Sequence, residues 1–461
     1  MSAVLTTATR RELGATVALA WPLVLAFAGG QMLGVVDTGV AGHLGTSALA
    51  AVGIGSSIFF GATILAIGIL MGLDPLVSQA LGANRPTDAR RHYLEAILLS
   101  FVLCVPFTVI LYPAQSLILP AMGLDPATAD LVRDYLLARS PSVLPILLHI
   151  VMRGYLQGYE RTRPVLVATL AANLVNVPLS MVLAYGDSAL TGVGLPAIGL
   201  GAGYGVWGIG LASSVVIIVQ VIVLWRAVRG IELPPGDARP CVEGIQAVVG
   251  LGWPIGIAFL VEVGIFVGIS LVSGLFGEVA VGAHQVAIQL ASFTFTMCMG
   301  LSAAASVRVG RAVGADDTPG ARRAAFVSIG LGLLVMATSA TSFMLWPAQL
   351  ASLLAQPVEV IERAVPLLQI AAVFQLADGV QAVTSGVLRG AGDTRSPMII
   401  NCIGHWLLGA PVGLVLAFEY ELEVVGLWWG ATIGLIFSAI ALLSRFVYLS
   451  RHRIAPVNER Q

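Results

Sequence analysis

The sequence predicts an all-α integral membrane protein, with twelve transmembrane helices in two parallel six-helix bundles around a central cleft. Three observations predict it: apolar runs long enough to cross a bilayer recur along the 461 residues, charged residues are scarce, and the two halves repeat at a fixed spacing. Charged residues make up 11% of the chain and hydrophobic ones 57%, where a soluble chain carries roughly a quarter charged residues. The mean hydropathy of +0.91 agrees. The 52 Gly and 23 Pro fit the same class, because neighbouring membrane helices satisfy the backbone groups that these residues free.

A net charge of -1 gives no basic surface for nucleic acid. The cysteines, Cys104, Cys241, Cys298 and Cys402, are far apart and lack metal or redox spacing, so they read as small apolar residues. The short polar start with Arg10 and Arg11 leads into a long apolar segment, expected to remain as the first span rather than to be cleaved.

The expected spans are 13–37, 48–71, 92–115, 131–152, 165–185, 206–226, 246–272, 280–304, 322–346, 362–386, 398–418 and 426–448. Their orientation follows from the 24 basic residues, all of them Arg. All but Arg133, Arg139 and Arg363 fall in the terminal segments, in 72–91, 153–164, 227–245, 305–321 and 387–397, or at helix ends touching them. By the positive-inside rule those segments and both termini are cytoplasmic. The opposite loops are neutral or acidic, as in Glu419, Glu421 and Glu423.

Residue types return after 232 positions. Trp21, Pro22, Ala26 and Phe27 correspond to Trp253, Pro254, Ala258 and Phe259. Gly82, Ala83, Arg90 and Arg91 correspond to Gly314, Ala315, Arg322 and Arg323. Gly154, Gly158, Thr162 and Arg163 correspond to Gly386, Gly390, Thr394 and Arg395. The register then slips to 222 at Trp207 and Trp429, across the Gly-rich loop 186–205. An even number of spans per unit makes the units parallel, related by an axis along the membrane normal, with binding sites expected near the midplane. The expected units are 1–226 and 246–461, joined by a cytoplasmic linker 227–245 that contains Pro234, Pro235 and Pro240.

Two carboxylates lie inside spans, Glu262 in FLVEVGIF and Asp378 in FQLADGVQ. A charge at mid-membrane costs about 2.5–3.5 kcal/mol even on insertion scales, so such groups normally face the protein interior or water and mark ion paths. A carboxyl pair in that setting offers two chemistries: uptake of a proton near neutral pH, or coordination of a hard cation such as Na⁺ through oxygen. A bland alternative is a pair of hydrogen-bond acceptors tying helices together. Asp37, in VVDTGVAGHLG, falls at the end of the first expected span, where an interfacial acid needs no function. Asp74 beside Pro75 reads as structure at a cytoplasmic helix end. His149, His284 and His405 show no ligand spacing and read as helix contacts. Gln285 and Gln289 share a helix face, as do Gln381 and Ser385, and such faces either line a wet cleft or bridge helices. The glycines of 199–205 follow no strand, and no Walker or HExxH sequence is present, so neither a nucleotide loop nor a metalloprotease is indicated.

Four stretches carry a family resemblance: VVDTGVAGHLGTSALAAVG, VSQALGA, GYLQGYERTRP and SGVLRGAGDTRSP. With them the chain resembles the multidrug and toxic compound extrusion (MATE) antiporters over essentially its whole length. Its Glu in the seventh span and Asp in the tenth make it similar to the NorM branch. The resemblance implies that Glu262 and Asp378 bind the coupling cation, Na⁺ or H⁺, with no other cofactor and no enzymatic activity. It implies a coupling or substrate role for Asp37, supported by Asn176. The related DinF branch has an Asp four residues beyond Asn176, and here that position is Ser180, which argues against a proton site of two carboxylates in the first half. The implied activity is export of organic cations and amphiphilic drugs by alternating access from a bacterial inner membrane, by a chain expected to act as a monomer. Gln285, Phe266 and Phe293 are expected near the substrate, with Phe295, Met297 and Met299 as further apolar wall or as ordinary packing. The alternative in the same superfamily is a lipid-linked oligosaccharide flippase. Such a protein would carry basic residues in its cleft, whereas Arg139 is the only Arg expected well inside a span.

Overall fold

The computed structural model describes residues 2–459 except 193, 195, 198, 200, 233–235 and 237. The linker prolines Pro234 and Pro235, and the terminal Arg460, lie outside the described residues. Twelve helices are long and apolar enough to span a membrane. They are α1 (Thr7–Leu44), α2 (Thr46–Gly82), α3 (Pro86–Ala121), α4 (Pro126–Gly158), α5 (Arg163–Tyr185) and α6 (Gly205–Arg229) in the first half. The second half holds α7 (Val242–Phe276), α8 (Glu278–Gly314), α9 (Thr318–Leu345), α10 (Val358–Gly390), α11 (Arg395–Phe418) and α12 (Glu423–Leu449). No strand occurs among the described residues. Each helix overlaps an expected span, and most run further at one or both ends. Asp37 therefore lies within α1, seven residues before its end, and is only 4% exposed.

Packing follows the repeat. In the first half α5 lies against α1 and α6, and α2 and α6 lie against α4; in the second, α11 lies against α7 and α12, and α8 and α12 lie against α10. Across the halves α1 packs on α8 and α2 on α7, again an equivalent pair. These crossings are close because glycines meet backbone. A Cβ on Gly68 or Gly72 would overlap α7 at Gly256 or Val248, and one on Gly300 would come within 2.6 Å of the Val24 nitrogen on α1. Small residues at such crossings let helix backbones approach where no hydrophobic effect drives association. The equivalent residues Ser78 and Gly310 touch each other, which sets the pseudo-two-fold axis between α2 and α8.

Both termini lie on one face, here the terminal face. Glu12 near the start pairs with Arg308 at 2.7 Å, and Arg453 near the end pairs with Asp316, also at 2.7 Å. On this face the halves are laced together. Arg308 also reaches Glu160 at 2.8 Å, Gln79 donates to the Gly390 carbonyl at 2.9 Å, and the Val457 amide donates to Gln79 at 2.8 Å. A cross-half hydrogen bond nearer the centre is Gln31 to Thr296 at 3.1 Å. The molecule is thus closed at the terminal face.

Candidate functional site

A cavity of about 530 Å³ lies between the halves, within the range of sites for drug-sized ligands. Its lining is paired by the repeat: Phe27 with Phe259, Gly30 with Glu262, Gln31 with Val263, Phe60 with Ser292, Ile64 with Thr296 and Ile67 with Met299. The cavity therefore surrounds the pseudo-axis. Helical phase explains the selection. Phe259, Glu262 and Phe266 are three and four residues apart on α7, and Ser292, Phe295, Thr296 and Met299 form one face of α8.

Glu262 and Asp378 both line this cavity, and the charge of Glu262 acts on Asp378. Gln381, one turn beyond Asp378 on α10, shares a smaller cavity with Glu262. Among the described residues neither acid makes an ion pair. Around them stand Phe266, Phe295, Phe374 and Met299, an apolar wall rich in aromatic faces. Phe266 meets Phe374 edge-on with centroids 5.9 Å apart, and Phe374 rests on Trp428 at 5.8 Å. Trp428 donates to His284 at 3.2 Å, and His284 in turn contacts Ser270 at 2.9 Å, so this wall is braced from behind. The smaller cavity continues from Glu262 past Gln381 and Ser385 to Arg389, Thr394 and Asn401 inside the second half.

Asp37 and Asn176 form a separate cluster outside both cavities. Asn176 donates to Asp37 at 3.2 Å, Ser180 donates to the same oxygen at 3.4 Å, and Ser213 donates to the other. Arg139 stands 3.8 Å from Asp37.

Two expected wall residues are placed elsewhere. Gln285 is exposed and bonds to Ser270 at 3.3 Å, and Phe293 is 43% exposed. Phe293 is one position, about 100° of rotation, off the inward face of α8, whereas Gln285 is in phase with Ser292 and lies one turn before Ile288, the first α8 residue on the lining. Residues that the sequence reading missed include Phe27, Phe60, Gln31, His149 and Arg153, all on the lining. The repeat was the available signal for three of them, since Phe259, Ser292 and Val263 are their equivalents. The repeat marks His149 and Arg153 as well, since their equivalents are Gln381 and Ser385, the pair singled out on the tenth span. Arg153 stacks on Phe27 with its guanidinium 4.9 Å from the ring centroid, and it acts electrostatically on Asp74.

The MatE family model matches residues 22–182 and again 254–415, two copies whose starts differ by the repeat spacing. The chain belongs to the MATE family. Along 97% of its length it is 35% identical to a protein of Mesorhizobium japonicum named "Probable multidrug resistance protein NorM", covering 96% of that protein. It is 33% identical to "Multidrug resistance protein MdtK" of Yersinia enterocolitica, with 97% of this chain and 98% of the relative covered. Among solved structures, the eukaryotic MATE transporter AtDTX14 superposes with a TM-score of 0.83 at 21% identity, over 97% of this chain and all of the other. An outward-facing multidrug resistance MATE transporter gives 0.84 at 20% identity, over 96% of each chain. These structures share the fold, and MATE proteins are transporters, not enzymes.

Proposed function

We propose that this MATE protein is a cation-coupled multidrug efflux antiporter of a bacterial inner membrane, with both termini cytoplasmic. The observation that carries the reading is the acid pair, Glu262 and Asp378, unpaired with any basic group and set in a cavity of aromatic and Met side chains. Such a site serves two cationic ligands in turn. The coupling cation, Na⁺ or H⁺, neutralises the carboxylates, while an organic cation is attracted by the same charge and held by ring faces. Because the two compete for one charge, loading the coupling ion favours release of the drug. The NorM and MdtK names of the relatives support drugs as the substrate class. The six-helix units, 1–226 and 246–461, would rock about the pseudo-axis, opening first one face and then the other. A flippase for phosphate-bearing lipid is less well supported. Of the arginines that the two cavities reach, Arg153 is occupied by Phe27 and the charge of Asp74, and Arg389 by Ser302 and the same Asp74.

Ethidium efflux from proteoliposomes under separately imposed Na⁺ and pH gradients tests the reading. One gradient is expected to drive efflux, and Asp378→Asn is expected to reduce it to the level of protein-free vesicles. Wild-type rates in the variant would remove the acid pair from the coupling mechanism.

A further inference from the structure

The acid of the first half is built differently from the pair in the second. Asp37 lies between three helices that each supply a partner. From α4 come Arg139, with its Nη1 3.8 Å from Oδ2, and Tyr135, whose hydroxyl accepts from the same nitrogen at 2.8 Å. From α5 come the donors Asn176 and Ser180, and from α6 comes Ser213. Arg139 and Tyr135 are the titratable groups that face the carboxylate. The guanidinium is fixed in turn, with its carbon 4.8 Å from the Phe59 ring centroid and 5.7 Å from that of Tyr135. Every group near the Asp37 oxygens is a donor or a cation. A carboxylate accepts all of these; the hydroxyls of Ser180 and Ser213 could turn to accept from a carboxylic acid, but the N–H groups of Arg139 and Asn176 could not, and a neutral Asp37 would leave the guanidinium without an anion.

The second half has none of this. By the repeat, Asp37 corresponds to Ile269 and Arg139 to Ala371. Glu262 and Asp378 open on the central cavity and Asp37 does not.

We infer that Arg139 is a tethered counter-ion that fills the acid site of the first half, so that Asp37 remains a fixed anion and cation exchange is confined to the second half. The first part rests on the Asp37 cluster alone; the second rests also on the reading of Glu262 and Asp378 given above. A mobile cation reaching Asp37 would have to displace one that is covalently attached. Arg suits this post, since it stays charged, stacks on rings and presents several donors at once. The coupling stoichiometry would then be set by the second half only.

Infrared difference spectroscopy of the purified full-length protein reads the carbonyl stretch of protonated carboxyl groups across the acid-to-neutral range. Asp37→Asn is expected to remove no such band. Arg139→Gln is expected to gain one, and the double variant Asp37→Asn/Arg139→Gln to lack it. Arg139→Lys, which keeps the charge, should match wild type. Saturable ²²Na⁺ binding per molecule should be unchanged in Asp37→Asn. The inference is overturned if Asp37→Asn loses a band or a bound Na⁺, or if folded Arg139→Gln gains no band. Should Arg139→Gln fail to fold, the comparison of Asp37→Asn with wild type still decides. Failure of the coupling reading shows instead as absent gradient-driven efflux, which leaves the infrared result standing.

Discussion

Gly30 and Glu262 occupy equivalent positions and both line the cavity, yet one has no side chain and the other a charge. The identity of single residues decides where chemistry sits on a duplicated scaffold. The acid pair was legible in the sequence because a carboxylate flanked by apolar residues is conspicuous. Its neighbours were less so. Phe293 looked equivalent to Phe295 by type and the rotation of α8 separates them, while Gln285 is in phase with the cavity face but one turn short of the lining. A different residue shows how a local contact becomes a pH effect. Asp125, outside the spans, caps the start of α4 and accepts from the Thr128 hydroxyl and from the amides of Thr128 and Ala127. The Thr128 hydroxyl, then its amide, hold the Asp125 carboxyl below its ordinary value. A lowered folded value means stability that is present at neutral pH and lost as acid protonates the group. Asp125→Ala should therefore melt below wild type in detergent at neutral pH, with the gap closing below the ordinary aspartate range. A gap that does not change with pH would show that the carboxylate charge is irrelevant to the cap.

Helix contacts repeat the same lesson one level up. The existence of twelve helices was legible from hydropathy, and their pairing was implied by the repeat. Their ends were less legible, because polar residues such as Asp74, Ser78 and Gln79 suggested a loop. In the structure they continue α2 and are buried against other helices rather than wetted. The crossing of α2 and α7 depends on Gly252, where a Cβ would overlap the Ile69 carbonyl; two residues earlier, a Cβ on Gly250 meets nothing within 4 Å. Both glycines are in the same helix, so helix propensity cancels between them. Gly252→Val is expected to destabilise the protein by about 1–3 kcal/mol or more through overpacking, while Gly250→Val is tolerated. Melting curves in detergent compare the two. Equal shifts would mean that the close crossing contributes nothing to stability.

At the scale of the molecule, the charge asymmetry between the faces was legible, but not what the charges do. The arginines of the terminal face were read as orientation signals. In the structure several of them also hold the halves shut: Arg308 bridges Glu12 and Glu160, beneath which Ser78 and Gly310 meet on the axis with Ser78 fully buried. If the proposed rocking opens this face, these contacts must break in every cycle, so they set how often the closed state gives way. Two partly exposed ion pairs contribute about 0.4–2 kcal/mol together, a shift of about two- to thirtyfold in the open population. Ser78→Cys, in a background with the four native cysteines replaced, reports that population through its reaction with a membrane-impermeant maleimide. Labelling should be slow with Arg308 in place and rise by that factor in Arg308→Ala. Reversing both charges, Glu12→Arg with Arg308→Glu, restores one bridge while Glu160 repels the new acid, so the double variant should fall between the two. Labelling that ignores Arg308 would place the opening somewhere other than between α2 and α8.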